Sequence, residues 1–269
     1  MKNLFTLALL GAVFSVVSPP ITNADVLLMD RFEGNAVNAE LWHIPTWQSP
    51  TDGTFLGRTQ FRVTQHSGLP PVRGGKVAID IESFNPTAPI GQPSFYGCEL
   101  ISNVPFHVGR RLDVKVRARM KGARQGIVGG IFLYALNDPV TTDHDEIDFE
   151  LLTDKAYRSQ VQTNVYANQP LGAGDPKFEP LPNPAKITAY HEYEIEWRPN
   201  SVSWFIDGKR VRTEADNVPR GPMYFYLNDW APDGRWPQAY YANLRPVSSQ
   251  SANRILNVLE VDSVRIEQE

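Results

Sequence analysis

Alternation of apolar and polar residues at period two constrains this chain's fold more than any other feature. Leu112-Asp113-Val114-Lys115-Val116-Arg117-Ala118-Arg119-Met120 keeps it for nine residues, the mark of a strand with one buried and one wet face. Lys76 to Glu82, Glu192 to Trp197 and Leu256 to Ile266 repeat the pattern. A turn at Arg198-Pro199-Asn200-Ser201 leads into Val202-Ser203-Trp204-Phe205-Ile206, and this strand ends at Asp207-Gly208, a hairpin signal. Helical periodicity is nearly absent, and 22 Pro and 19 Gly punctuate the chain. Longer loops are expected over 42–53, 84–94, 168–184 and 231–251. With no repeat and no break in composition, the pattern predicts one all-β domain, a sandwich or jelly roll.

The start of the chain reads differently. Lys2 precedes an apolar run from Leu4 to Val17, interrupted only by Thr6, Gly11 and Ser15 and followed by small residues to Ala24. This is the layout of a secretory signal. The run of about 14 residues is short of the roughly 20 that span a bilayer. Export with cleavage near Ala24 is therefore expected, leaving residues 25–269 as a single domain without a membrane span. A formal net charge of −4 and a pI of 5.8 argue against nucleic acid as a partner. Lone Cys98 excludes an internal disulfide. No heptad or exposed helical pattern indicates an obligate partner, so a monomer is expected.

His144-Asp145-Glu146-Ile147-Asp148-Phe149-Glu150-Leu151-Leu152 carries the chemistry. As a strand it turns Ile147, Phe149 and Leu151 inward and Glu146, Asp148 and Glu150 outward. Three carboxylates on one strand face repel one another, so sheet stability alone does not favour them. The Cα atoms of Glu146 and Glu150 are about 13 Å apart at the usual strand rise. Carboxyls leaning toward each other leave about 5–6 Å, near the separation of a retaining glycosidase pair. Asp148 between them can hold their pKa values apart, one ionised as nucleophile and one protonated as acid. A helix would make Glu146 and Glu150 an ordinary solvated pair, which the Ile/Phe/Leu alternation disfavours. A metal site is the other alternative, but an extended line wraps poorly around one ion. Spacing alone does not say which glutamate plays which role.

At these residues the sequence resembles glycoside hydrolase family 16, whose signature is ExDxE on one strand of a β-jelly roll. The segment from His144 is similar to the active-site strand of plant xyloglucan endotransglucosylases and bacterial lichenases. It lacks the extra residue usual in the laminarinase branch. Thr163 to Tyr166, Tyr190 to Lys209, Pro222 to Trp230 and Val261 to Arg265 resemble further family segments in the same order. The resemblance implies two antiparallel sheets with a concave substrate cleft. It also implies Glu146 as nucleophile, Glu150 as acid/base and Asp148 as their assistant. Asn164, Tyr166, Asn228 and Trp230 fall on sugar-binding positions and Glu99 on an acidic cleft position, while Ile101 stands where lichenases carry an arginine. No cofactor is implied for catalysis. A structural calcium between the chain ends is implied, near Glu33, Gly75 and Asp262.

Among the aromatics, Trp197 and Trp204 alternate on strands and are expected in the core. Trp230 and Trp236 flank the loop Ala231-Pro232-Asp233-Gly234-Arg235 and are candidates for sugar contact, the alternative being loop anchoring. Trp42, Trp47 and Arg58 are candidate cleft walls. His144 is expected to hydrogen-bond a catalytic carboxylate rather than act as base, and no histidine spacing suits zinc. The expected function is an exported, endo-acting, retaining β-glucanase whose partner is a β-glucan-type polysaccharide. The alternatives are a transglycosylase on the same bond, a non-catalytic carbohydrate-binding module and a structural wall protein.

Overall fold

A computed structural model describes residues 24–45, 58–61, 70–122, 124–182 and 184–269. The expected signal (residues 1–23) and Trp47 lie outside them. The strands, in chain order, begin with β1 (Asp25–Asp30), β2 (Trp42–His43), β3 (Thr59–Phe61), β4 (Val77–Glu82) and β5 (Phe95–Ser102). Next come β6 (Leu112–Lys121), β7 (Val128–Asp138), β8 (Asp143–Leu152), β9 (Gln160–Gln169) and β10 (Lys177–Pro180). The last are β11 (His191–Arg198), β12 (Ser201–Ile206), β13 (Lys209–Glu214), β14 (Tyr224–Trp230) and β15 (Ile255–Gln268). One short 3-10 turn at Gln250–Ala252 is the helical element among the described residues, and none of them forms a helix long and apolar enough to cross a membrane.

The strands form two layers. One runs β4-β15-β6-β11-β12-β13, with β1 added on β15; the other runs β10-β9-β8-β7-β14-β5, with β2 added on β5. The two layers are hydrogen-bonded to each other, because β4 pairs with the start of β5 at Ile81–Gly97 and Glu82–Tyr96. The jelly roll is thus one sheet curled back over its own face. Among the described residues all pairs are antiparallel except β3 with β5, which run parallel. The expected loop 168–184 also contains β10, a four-residue edge strand ending in Pro180, too short to show a period.

The layers meet because each alternating strand has one apolar face to bury. Val114, Val116 and Ala118 of β6 and Ile195 and Trp197 of β11 face Ile147, Phe149 and Leu151 of β8 and Val161 and Val165 of β9 in one cluster. Trp197 and Trp204 are fully buried, as expected, and both indoles find acceptors. Trp197 Nε1 donates to Pro219 O at 3.0 Å. Trp204 Nε1 reaches across the core to Asp148 O on β8 at 2.9 Å. Asp207 and Gly208 close the β12–β13 hairpin with φ of 50° and 74°, the paired positive values that the two-residue hairpin signal demands. Trp42 departs from expectation. It is buried, stacks near Phe32 with ring centroids 6.2 Å apart, and donates to Asp30 Oδ2 at 2.8 Å, so it belongs to the core and walls no cleft.

Candidate active site

Strand register lays out the site. Because odd residues of β8 fill the core, Glu146, Asp148, Glu150 and Leu152 share the outer face of their layer. Pairing then builds rows across the strands. Glu146 lies between Tyr166 of β9 and Tyr134 of β7, and Asp148 between Asn164 and Phe132. Glu150 lies between Gln162 and Gly130, and that row continues through Asn228 to Glu99. Leu152, Val128 and Trp230 form the last row. Gly130 is small for a reason: a Cβ there would come within 2.5 Å of Asn228 Oδ1 and 3.2 Å of the Phe132 ring.

The three carboxyls differ in surroundings. Burial first, then the neighbouring charges of Asp148 and Glu146, pushes the Glu150 carboxyl well above the usual carboxylate range. Asp148 is raised in the same direction by burial and by Glu146, against the opposing pull of Arg212. Asp148 Oδ1 and Glu150 Oε2 are buried without a hydrogen-bond partner, which suits neutral acids better than bare anions. Glu146 is the more open group, its side chain 16% exposed.

His144 shares that face one step before Glu146. Its Nδ1 lies 2.9 Å from Thr142 O, and a carbonyl can only accept, so Nδ1 carries the hydrogen. In the neutral ring Nε2 is then a bare lone pair, yet it sits 3.2 Å from Glu146 Oε2. The angle there falls short of an aligned hydrogen bond, and the contact is an ion pair when the ring is protonated. Burial alone would lower the His144 pKa; the hydrogen-bonding partnership and charge of Glu146, with Thr142 O and Asp145, outweigh it and raise it. Tyr166 and Tyr134 pack on the ring at 4.3 and 5.4 Å. A register shift between β8 and β9 follows at once. Asn168 takes a left-handed φ of 53° there, and its N–H donates to Asp145 Oδ1 at 2.7 Å.

The other candidates divide. Asn228 Nδ2 donates to Glu99 Oε2 at 3.1 Å across β14 and β5, which brings both into the Glu150 row. Asn164 and Tyr166 flank Asp148 and Glu146. The segment after β9 folds onto them, since a Cβ on Gly174 would lie 2.6 Å from both Asn164 Oδ1 and the Tyr166 ring. Trp230 is only 3% exposed and packs with Phe61, Val128, Leu152 and Ala239, with the Trp236 ring tilted against it at 5.7 Å. Both tryptophans therefore anchor the loop over the last row; Trp230 does not present an open platform for a sugar. Arg58 anchors the same loop from below: it donates to Pro232 O at 3.1 Å and to Leu244 O, and lies over Phe95 and Tyr240.

An aromatic patch escaped the sequence reading. Phe132 and Tyr226 stack at 5.0 Å and 16°, with Tyr134 edge-on to Tyr226 at 5.8 Å. All three share the face of the carboxyls. The run Val128 to Leu136 is so nearly apolar that its alternation is invisible without the partner strands.

Of the residues expected around a calcium, Asp262 would offer its carboxylate, and Glu33 and Gly75 their backbone carbonyls. Both carboxylate oxygens of Asp262 face cations, Lys76 Nζ at 3.7 Å and Arg117 Nε at 3.3 Å. Glu33 is exposed, and no three acidic, His or Cys side chains converge among the described residues. No step below passes through a metal.

With the geometry in place, comparison with known proteins gives three results. Residues 59–243 match the model of glycosyl hydrolases family 16. The chain is 39% identical over 114 residues to a beta-glucanase of Bacillus amyloliquefaciens, covering 42% of this chain and 45% of that protein. It is 31% identical over 157 residues to a xylanase/beta-glucanase of Ruminococcus flavefaciens, 58% of this chain but 18% of that one. The chain thus spans less than half the length of these curated relatives. A solved structure, a prokaryotic beta-1,3-1,4-glucanase (lichenase) from a mouse hindgut metagenome, superposes with a TM-score of 0.67 at 25% identity, covering 90% of this chain and 98% of that one.

Proposed function

Since this chain belongs to glycosyl hydrolases family 16, we propose that it is an exported, single-domain enzyme that cleaves internal β-glucosidic bonds of a polysaccharide with retention. The observation that carries this reading is the divided trio on β8. Glu150 and Asp148 are held toward the neutral form by burial and by neighbouring carboxylate charge, that of Glu146 acting on both, while the more open Glu146 faces His144.

In the first step a Glu146 oxygen attacks the anomeric carbon as the glycosidic C–O bond breaks, and Glu150 gives its proton to the departing oxygen. In the second, Glu150, now a carboxylate, takes a proton from water or from the hydroxyl of another sugar. That oxygen attacks the anomeric carbon, and the bond to Glu146 breaks with the original configuration restored. Asp148 stands between the two glutamates and titrates together with Glu150, so that ionising either one favours the proton on the other. When its ring is protonated, His144 forms an ion pair with Glu146. The Phe132–Tyr226–Tyr134 patch offers apolar ring faces to the C–H faces of sugars. Relatives named beta-glucanase and a neighbour named lichenase make mixed-linkage β-1,3-1,4-glucan the first substrate to assay. Glu146→Gln is expected to remove nearly all reducing-end release while leaving the fold and glucan binding intact. Near wild-type turnover by that variant would discard the assignment.

A further inference from the structure

Beyond the last row of the catalytic face, the turn after β6 and the turn after β8 meet around a depression of about 260 Å³. Arg124, Lys155 and Arg158 line it together with Gln125, Tyr241 and Asn243. Three cations share one hollow in a chain whose net charge is −4, and no carboxylate contributes to the lining.

The contrast with the other layer is instructive. A smaller depression of about 160 Å³ there gathers Arg31, Lys115, Arg117 and Arg265, but Glu192 is part of its lining, and Lys115, Arg117 and Arg265 pair with Glu194, Asp262 and Glu267 respectively. Around the larger hollow, no acid of the described residues pairs with Arg124 or Lys155, and the nearby Asp154 bonds to Gln125 of the lining instead. Its Oδ2 accepts from Gln125 Nε2 at 2.6 Å and its Oδ1 from Ala156 N at 2.9 Å. Arg158 is tied to the turn itself, its Nε donating to Thr153 O at 2.9 Å, but Arg124 and Lys155 are like charges with no ion-pair partner among the described residues, and such neighbours repel.

The walls are firmly built. Thr153 N donates to Ile127 O at 3.0 Å, and Ile127 N to Thr153 Oγ1 at 3.0 Å, which clamps the two turns together. Gly126, at φ +90°, lets the third wall close in, since a Cβ there would lie 2.7 Å from Tyr241 Cβ and 3.2 Å from Leu244 Cδ2. Arg58 holds Leu244 O from the far side. Lys155 follows Leu152, the end of the catalytic face, by three residues, which places the hollow next to the end of β8.

We propose that this hollow is a binding site for an acidic group, a carboxylate or sulfate ester, carried by the polysaccharide. Arg124 and Lys155 supply charge, and the Gln125 and Asn243 amides and the Tyr241 hydroxyl supply hydrogen bonds. Such a site gives preference for a charged glycan without touching the bond that breaks. The proposal rests on the glucanase reading above, and its test is arranged to separate the two.

The probes are a neutral β-glucan and its carboxymethylated and sulfated derivatives, with inorganic sulfate as the free anion. The proteins are the full chain and Arg124→Ser/Lys155→Ser, two exposed positions outside the catalytic trio. Wild type is expected to show a lower KM for the charged polymers than for the neutral one, with the gap closing at high salt. The double variant is expected to lose about fivefold in KM on charged polymers, the scale of two exposed ionic contacts, and nothing on the neutral polymer. Calorimetric binding of charged oligosaccharides to both proteins reads the hollow without turnover, so an inactive chain would sink the glucanase reading alone. Equal affinity of both proteins for charged glycans would overturn the proposal. So would binding of inorganic sulfate with no gain for the charged polymers, since the site would then take free anions.

Discussion

Trp204→Phe probes the tie between the two layers beneath the catalytic strand. The indole Nε1 donates to Asp148 O at 2.9 Å inside the core, and the Arg212 guanidinium lies 4.6 Å from the ring centroid. Phenylalanine fills most of the space but takes away the donor. Leaving that carbonyl short of a partner costs about 1–3 kcal/mol. Losing roughly 40 Å² of apolar contact costs about 1 kcal/mol at 25 cal/mol/Å², and a weaker cation–ring contact about 0.5 kcal/mol. The expected destabilisation is therefore about 2.5–4.5 kcal/mol, measured by urea unfolding with far-UV circular dichroism. Trp197→Phe is the control. It loses a comparable bond, but to Pro219 O rather than to the β8 backbone. Both variants are expected to lose similar stability, but only Trp204→Phe is expected to lower kcat on β-glucan, several-fold, because only it loosens the strand that aims the carboxyls. A loss below about 1 kcal/mol for Trp204→Phe, or equal kcat for the two variants, would refute the claim that this bond sets the catalytic strand.

Two further variants test the electrostatics. Glu150→Gln is expected to lower kcat on polysaccharide by about 10²–10⁴-fold, with little loss of kcat/KM on an aryl glycoside whose leaving group needs no proton. The alkaline limb of the pH–rate profile is expected to vanish with it, since Glu150 sits well above the usual carboxylate range. Asp229 is fully buried, with Asn257 Nδ2 at 3.3 Å from its Oδ2, and burial raises its pKa well above normal. A raised acid binds its proton more tightly in the folded state. Its contribution is thus fully present below the unfolded pKa of about 4 and is lost as pH rises through the folded value. Asp229→Asn is accordingly expected to be more stable than wild type at pH 8 and to lose that advantage near pH 4, as read by thermal melts. An advantage independent of pH would contradict the assignment.

Strand alternation made the all-β fold legible wherever a strand has one wet face, as β6, β11 and β15 show. It also placed Glu146, Asp148 and Glu150 on one side of β8, because Ile147, Phe149 and Leu151 mark the other. Legibility failed where that contrast disappears. The apolar run of β7 hid Phe132 and Tyr134, whose facing is set by the register with β14 and β8. Trp230 and Trp42 show the opposite limit. A tryptophan beside a loop reads the same whether it meets a sugar or the loop's own underside, and here Trp236, Ala239 and Phe61 cover one while Phe32 and Asp30 hold the other. The link between the layers at Ile81–Gly97 left no local signal, since pairing partners lie far apart along the chain. The acidic charge of Asp262 was visible, but its capture by Lys76 and Arg117 depended on three separate strand segments coming together.

The central claim is that Glu146, and no other group, forms the bond to sugar. A 2-deoxy-2-fluoro oligosaccharide with a good leaving group slows release of the glycosyl-enzyme, so peptide mass mapping can locate the attached sugar. The account predicts the label on the Glu146 carboxyl. A label on Asp148, Glu150 or any other residue would contradict it.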